Sequence, residues 1–289
     1  MIPGGRRYIL YGSRSAEISM ATLADIHYGN RGVAIDHLKS DIARIADDPY
    51  AFWLGGGDYA DLVGTKDKRF DPEGITEELT VRDLGQLGHV QMKKVRDLFS
   101  PIADKCVGVM KGNHEDTYEI ANEQQQLVHW LATELNTRYL GYCCFLDLHF
   151  VRVPRWRKPP MLLPLGQLAP PGGPHWSVRI FAHHGSGFAQ TPGGKLNKLI
   201  QFMDYFQADL TIIAHIHDQN AKRLVRLRAN EDCEELVEIP QVGMVTGTYL
   251  RTYATGEASY GEKRGFRPVP LGAVSAKFRP DKKELRVEI

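Results

Sequence analysis

Five short stretches place metal-binding side chains at the ends of apolar runs. "LADIHYG" holds Asp25 and His27, "GGGDY" holds Asp58, and "KGNHED" holds Asn113 and His114. "FAHHG" holds His183 and His184, and "IIAHIHD" holds His215 and His217. Each alone has an ordinary reading. Asp-x-His can be a hydrogen-bonded turn, Gly-Asn tolerates positive φ, and Gly-Gly-Gly-Asp can be a tight strand-to-helix connection. As an ordered series, imidazoles, carboxylates and one amide suit divalent Zn, Mn, Fe or Ni better than Ca. Asp25 and His27, two apart on a strand, would share one face, as would His215 and His217. His183 and His184 are adjacent and would point to opposite faces, so one of them is expected to join the cluster and the other to pack elsewhere.

The elements that must position these groups are read from periodicity. Apolar runs at 17–27, 50–58, 106–110, 139–153, 177–183 and 209–214 predict strands, and helical spacing predicts helices over 33–47, 86–104, 123–136 and 195–207. A last hairpin is expected over 272–289. Alternating strands and helices in the first part predict an α/β sheet covered by helices. The strand-rich second part predicts mixed rather than parallel pairing. All five chemical blocks then fall beyond the carboxyl ends of strands, where open α/β sheets gather functional groups. A single domain over 1–289 is expected, with two excursions: a Pro/Gly-rich one at 154–175 and a Tyr/Arg-rich loop at 246–270.

Composition narrows the classes. The net charge of +1 gives no global field for nucleic acid, so any such footprint would be local. No stretch approaches a membrane span, and the N-terminal apolar run is broken at Gly12 and Arg14, too short for a signal peptide. Four cysteines, with Cys143 and Cys144 adjacent, form no disulfide framework and read as reduced thiols of a cytoplasmic protein. Oligomeric state is not legible.

The order D-x-H, G-D, G-N-H-E, H, H-x-H resembles the calcineurin-like metallophosphoesterases and runs over residues 25–217. The resemblance implies a four-layer α/β/β/α sandwich with two mixed β-sheets and a binuclear metal centre. It implies one metal held by Asp25, His27 and His217, the other by Asn113, His215 and one histidine of the 183–184 pair, with Asp58 bridging. Relatives with the ligand directly before a glycine favour His184; those with paired histidines keep His183 open. His114 is similar to the non-ligand histidine beside the leaving group. Ala214 stands where a glycine usually precedes H-x-H, which alanine tolerates unless that backbone needs positive φ. Such a set has a chemical reason. Phosphate ester hydrolysis needs on the order of 20 kcal/mol of help. Two metals about 3.5–4 Å apart clamp phosphoryl oxygens and supply a bridging hydroxide for in-line attack. Manganese is the first metal to supply in vitro. Glu115, Asp218 and Asn30 are candidates for orienting the imidazoles.

Other features bear on the substrate. Arg152, Arg155, Trp156, Arg157 and Lys158 form one basic-aromatic segment; Tyr249, Arg251, Tyr253, Tyr260, Lys263, Arg264, Phe266 and Arg267 form another, diluted by Glu257 and Glu262. Either can be a solvated loop. Rimming the metal site, they would favour a polyanionic substrate, and "GTKDKRFD" (64–71) could add phosphate contacts. His37, His89, His129, His149 and His175 read as structural or surface residues. The first expectation is a phosphodiesterase, with nucleic acid as a candidate substrate. A phosphomonoesterase or phosphoprotein phosphatase is the alternative, and a non-catalytic scaffold is disfavoured because no expected ligand is missing.

Overall fold

Two mixed sheets face each other across the main core. The computed structural model describes residues 1–289 except 66, 68, 77, 123–125, 168–172, 188 and 255–258, and the side chain of Tyr260. Parts of both excursions, of the 64–71 run and of the expected 123–136 helix, together with Glu257, therefore lie outside the described residues. The strands are β1 (Ile2–Tyr11), β2 (Ile18–Leu23), β3 (Ala51–Gly55), β4 (Cys106–Val109), β5 (Cys143–Arg152) and β6 (Met161–Leu162). They continue with β7 (Trp176–His183), β8 (Leu210–Ile213), β9 (Asn220–Ala229), β10 (Leu236–Val245), β11 (Val274–Arg279) and β12 (Glu284–Glu288). The helices are α1 (Ile35–Asp47), α2 (Leu87–Phe99), α3 (Asn113–Asn122), α4 (Leu127–Glu134), α5 (Pro192–Tyr205) and the single turn α6 (Tyr260–Lys263).

One sheet runs β6-β1-β5-β7-β8-β10-β9 and the other β12-β11-β2-β3-β4. Each mixes parallel and antiparallel pairs: β7 with β8 and β2 with β3 are parallel, β5 with β7 and β11 with β2 antiparallel. Between the sheets lie Ile9, Tyr11, Met20, Phe52, Leu146, Leu148, Ile180 and Phe278. A second core, with Leu38, Ile42, Ile45, Trp53, Met92, Val95 and Leu131, joins α1, α2 and α4 to the outer face of the smaller sheet. A third joins Leu199 and Met203 of α5 to Ile213 and Val245 on the larger sheet. The order of layers is therefore helix, sheet, sheet, helix. On α1, burial at Leu38, Ile42 and Ile45 follows the i, i+4, i+7 spacing that predicts it.

Several expected bounds shift for physical reasons. The helix expected to reach residue 104 ends at Phe99 and tightens into a 3₁₀ stretch, Ser100–Lys105, whose Pro101 has no N–H to continue the α-helical ladder. Trp53 Nε1 donates to Ile102 O at 2.7 Å and closes that turn. The 123–136 expectation corresponds to the shorter α4, preceded by an unanticipated α3 that begins inside the G-N-H-E stretch. The strands β1, β9 and β10 were also not foreseen. The first carries Gly4, Gly5, Arg6 and Arg7; β9 carries four cations; and much of the β9–β10 ribbon is solvent-exposed, so neither has a clean apolar pattern.

The Pro/Gly-rich excursion leaves the sandwich at the wrong pole for a substrate rim. Cys143, at the start of β5, pairs with His183, while Phe150, near its end, pairs with Trp176. At about 3.3 Å per residue, the end of β5 is roughly 30 Å from the five blocks. Arg155, Trp156 and Arg157 follow that far end. Trp156 packs against the Leu10, Val151 and Leu163 cluster and donates from Nε1 to Pro159 O at 3.0 Å. The indole is used in packing, and Arg152 in an ion pair with Asp281 at 2.9 Å. An Arg155→Ala, Arg157→Ala double variant is accordingly expected to leave kcat/KM unchanged; a large loss on any ester would return this segment to the rim.

Candidate metal centre

The side chains of the five blocks converge through loops, not through strand alternation. β2 stops at Leu23 and β8 at Ile213, so Asp25, His27, His215 and His217 all lie beyond regular strand. Asp25 (φ 51°), His27 (φ 54°), Asp58 (φ 51°), His215 (φ 69°) and His217 (φ 43°) all adopt the left-handed backbone region. For a residue with a Cβ this costs of order 1–3 kcal/mol and persists only where surroundings impose it. The surroundings do so here. Ile26 N and His27 N donate to Asp58 O at 2.8 and 3.0 Å, and His215 N donates to Asp25 Oδ2 at 2.9 Å. Tyr249 N and Thr248 Oγ1 both donate to Asp25 O, at 3.0 and 2.9 Å. Ala214 is not among the positive-φ residues, so alanine in place of the usual glycine meets no backbone obstacle.

Glycine is required where backbones close on the centre. A Cβ on Gly112 would lie 2.1 Å from Asp58 Oδ1, and one on Gly57 2.7 Å from His184 Nδ1. Glu115, fully buried in the first turn of α3, fixes the Asp58 loop. Its Oε2 accepts from Asp58 N (3.0 Å) and Gly112 N (2.9 Å), and its Oε1 from Tyr59 N (2.7 Å) and Ala60 N (3.3 Å). Burial and the Asp58 charge push the Glu115 carboxyl up to about 7, while the backbone bond from Gly112 and the nearby imidazoles pull the other way.

Three overlapping donor groups result: Asp25 with His27 and His217; His27 with Asp58 and His114; Asp58 with His184 and His215. Their nitrogens and oxygens face one another. His27 Nε2 is 3.3 Å from His217 Nε2, His217 Nε2 is 3.3 Å from Asp25 Oδ1, and His184 Nε2 is 3.2 Å from Asp58 Oδ2. The other ring nitrogen meets an outside acceptor in two cases: His184 Nδ1 at Gly56 O (2.8 Å) and His215 Nε2 at Gly187 O (3.1 Å). This is the outer hydrogen bonding that sets the tautomer of a metal-binding imidazole. The buried Asp25 Oδ1 has no hydrogen-bond partner. Asn113 completes the picture: with its oxygen turned inward it sits 3.1 Å from His184 Nε2, among other acceptors, the orientation a cation would need. The donor set fits divalent metal.

The electrostatics agree. Burial pushes the Asp58 carboxyl up, but His184, His114 and His27 overcome this and hold it well below the carboxylate range. Asp25 is also held down, by His217 against burial. Asp58 raises His184 to about 10 despite its burial, so the position favours positive charge. His27 and His215 are lowered, first by burial and then by neighbouring imidazoles.

The structure separates the histidine pair. His184 is fully buried among Asp58 and Asn113. His183, the last residue of β7, turns away: its ring lies against Phe202 at 4.7 Å and Tyr142 at 5.5 Å, and its Nδ1 accepts from Gly185 N at 2.7 Å. His184→Ala is therefore expected to remove one metal equivalent and His183→Ala none; metal analysis after gel filtration reads the difference. Loss of metal from the His183 variant alone would reverse the assignment.

Tyr249 was expected at the rim and is instead fully buried, its hydroxyl donating to Asp41 Oδ2 at 2.7 Å beneath α1. Its backbone, not its ring, serves the site. Arg251 Nη1 donates to Val33 O at 3.1 Å, beside the Asn30–Gly32 turn. That turn borders a cleft of about 910 Å³ lined by Asn30, Asp61, Arg69, Phe70, Lys263 and Ser259, among others. Of the candidate orienting residues, Glu115 holds backbone, Asn30 Nδ2 reaches Asp61 Oδ2 at 3.3 Å, and Asp218 lies 3.7 Å from Lys195. None touches an imidazole. A neighbour missed from sequence is Asp61, whose carboxylate lies 3.5 Å from His27 Nδ1 and whose backbone carbonyl oxygen meets His114 Nδ1. Its spacing, three residues past Asp58, was the available signal. Lys195, whose Nζ donates to His217 O at 2.9 Å, was missed as well and had no local motif to mark it.

No protein-family model and no curated protein matches the chain. Solved structures do. A conserved uncharacterized protein from Streptococcus pneumoniae, described as a predicted phosphoesterase, matches at 9% identity over 91% of this chain and 84% of its own, with a TM-score of 0.34. Vps29 from Entamoeba histolytica, in complex with zinc, matches at 13% identity over 94% and 97%, with a TM-score of 0.37. GAP50 of Plasmodium, described as the anchor in the inner membrane complex, matches at 10% identity over 91% and 81%, with a TM-score of 0.42. The chain is similar to a calcineurin-like metallophosphoesterase. That likeness rests on its own sandwich of two mixed sheets and on the order of its donors. No helix among the described residues is long and apolar enough to cross a membrane.

Proposed function

We propose that the chain is a binuclear-metal-dependent phosphoesterase that acts on phosphodiesters, with nucleic acid the first substrate class to test. The observation that carries this reading is Asp58, a fully buried carboxylate shared by donor groups on either side of it. A carboxylate has two oxygens and can serve two cations at once. Asp25, His27 and His217 would hold one, and Asn113, His184 and His215 the other. The cations, manganese first in vitro with Zn, Fe and Ni as alternatives, would supply Lewis-acid charge and activation of water.

The chain's own residues set the rest. His114 N donates to Asp58 Oδ1 at 2.8 Å and its ring lies close to His27 and Asp58; by the resemblance it would stand beside the centre as a non-ligand facing the leaving group. The adjoining cleft shares Asp61 and Arg69 with the surroundings of His114, so an ester placed at the centre would lay an organic group there. At about 910 Å³ this cleft lies in the range of small-molecule sites and supports a substrate larger than a simple phosphate.

The deciding experiment compares a chromogenic phosphodiester with the matching monoester, with Mn²⁺ restored after chelation. Preference for the diester is expected, and a strong monoester preference would sink the diesterase reading. Linear and circular single- and double-stranded DNA test the nuclease proposal, which intact DNA would remove. No turnover with any divalent metal would favour a scaffold.

A further inference from the structure

The β9–β10 ribbon outruns the sheet it belongs to. Its strands pair antiparallel over ten residues each, from Asn220 with Val245 to Ala229 with Leu236, yet β8 pairs with β10 only over residues 242–245. Residues 236–241, with 224–229 opposite, therefore run on as a two-stranded arm of about 20 Å. Such a ribbon by itself is marginal in water. One face is tied down: Arg226 Nη2 donates to Met203 O (2.9 Å) and Asp204 Oδ1 (2.7 Å) of α5. The other face carries Val225, Leu227 and Leu236, which are 49%, 62% and 72% exposed. At its root this face holds Val242 in the core between the sheets, so it is core surface extended past the cover of the smaller sheet. The charges divide along the arm. Lys222, Arg223, Arg226 and Arg228 lie on β9 with no acid among them, whereas Glu231, Asp232, Glu234, Glu235 and Glu238 occupy the tip and the start of β10 with no cation. Of these nine, only Arg226 is in an ion pair among the described residues. Arg223 and Glu238 share the apolar face, but Glu238 lies opposite Leu227, so at roughly 13 Å along the ribbon the two cannot pair within one chain.

We propose that this face is a dimer interface, its occupant the same arm of a second copy of the chain, laid face to face about a two-fold axis with tip over root. Packing of this kind needs a self-complementary patch. The arm supplies one. Val225, Leu227 and Leu236 of both copies meet along the middle, Arg223 of each faces Glu238 of the other, and each acidic tip lies over the other's basic root. Edge-to-edge joining of two β9 strands is worse: centred on Val225 it sets Lys222 opposite Arg228, and like charges directly opposite destabilise a strand pair. The five carboxylates at the tip likewise disfavour a polyanion as occupant. The face is small beside the roughly 800 Å² per partner of stable complexes, so the dimer is expected to be weak and in exchange with monomer.

The test is sedimentation equilibrium of the full chain from about 1 μM to about 300 μM, a span that brackets weak interfaces. A reductant is kept throughout, so that the exposed Cys233 at the tip adds no covalent dimer. Wild type is expected to pass from monomer to dimer across this range. Leu227→Asp and Arg223→Glu should each weaken association by about tenfold or more. Arg223→Glu combined with Glu238→Arg should return it to within about threefold of wild type, because the swapped charges again face each other. Urea unfolding of each variant, expected to match wild type, separates lost association from lost fold. A wild type that stays monomeric throughout, a dimer indifferent to both single variants, or a charge swap that fails to restore it overturns the proposal. So does a monomer that binds a fluorescent single-stranded oligonucleotide and releases it on Arg223→Glu, which would make the arm a polyanion contact instead.

Discussion

Asp58→Asn is expected to abolish measurable phosphoesterase turnover and to strip the chain of most of its metal. The substitution keeps the shape of the side chain and an oxygen for His114 N, which donates to Asp58 Oδ1 at 2.8 Å, so the fold should survive. What is lost is charge at the point both halves of the centre share. His184 Nε2 lies 3.2 Å from Asp58 Oδ2, and His27 Nε2 lies 4.0 Å from the same oxygen. A neutral amide has one acceptor oxygen in place of two anionic ones and cannot serve two cations. Removing a mere outer partner of a metal ligand costs about 10–100-fold in affinity or activity. Loss of a shared ligand should exceed that, to roughly 10³-fold or more in kcat/KM, judged against the same scale. Metal analysis after gel filtration and diester turnover at saturating Mn²⁺ read the two effects separately. A variant that kept its metal and activity within tenfold would show that no cation depends on Asp58, and the binuclear reading would fall with it.

How much of this centre the sequence discloses depends on how local its determinants are. Each donor sits in a short block whose residue types name its chemistry, and all five blocks lie just past strand ends, so the cluster is visible before any coordinates. Its geometry is not. Asp25 with His27, and His215 with His217, converge because non-glycine residues are forced into left-handed backbone, and the groups that force them are distant in the chain, such as Tyr249 acting on Asp25. The rim was misjudged for a similar reason. Composition marks 154–158 as basic and aromatic, but only the antiparallel pairing of β5 with β7 sends it to the far pole. Tyr249 was misplaced because nothing local distinguishes a tyrosine facing solvent from one whose hydroxyl finds Asp41 more than 200 positions away (|i−j| = 208). The helices α1 and α5 were legible from periodicity, whereas β1 and the β9–β10 ribbon, with glycines, cations and much exposed surface, were not.

Glu115→Ala should unfold the chain at markedly lower denaturant, because Glu115 holds the loop of the metal centre through backbone N–H groups. Its two oxygens accept four backbone N–H groups, from Asp58, Tyr59, Ala60 and Gly112, all in the buried interior. Alanine leaves those four donors without partners. Each orphaned buried donor costs about 1–3 kcal/mol. Water entering the vacated volume recovers part of that, so a net loss on the order of 3–5 kcal/mol is expected, the scale of breaking a buried charged interaction. At roughly 2–4 °C per kcal/mol for a chain of this size class, melting should fall by about 10 °C or more. Glu115→Gln should lie between, because its amide keeps one acceptor oxygen but turns an NH₂ group toward two N–H donors. Metal binding should weaken in parallel, since Glu115 fixes the loop in which Asp58 holds its left-handed backbone at φ 51°. Urea unfolding of the metal-free chain isolates the structural effect from that second loss. If the alanine variant unfolded within 1 kcal/mol of wild type, judged against the cost of even one orphaned donor, water must already satisfy those four groups, and the loop would owe its shape to the metal rather than to Glu115.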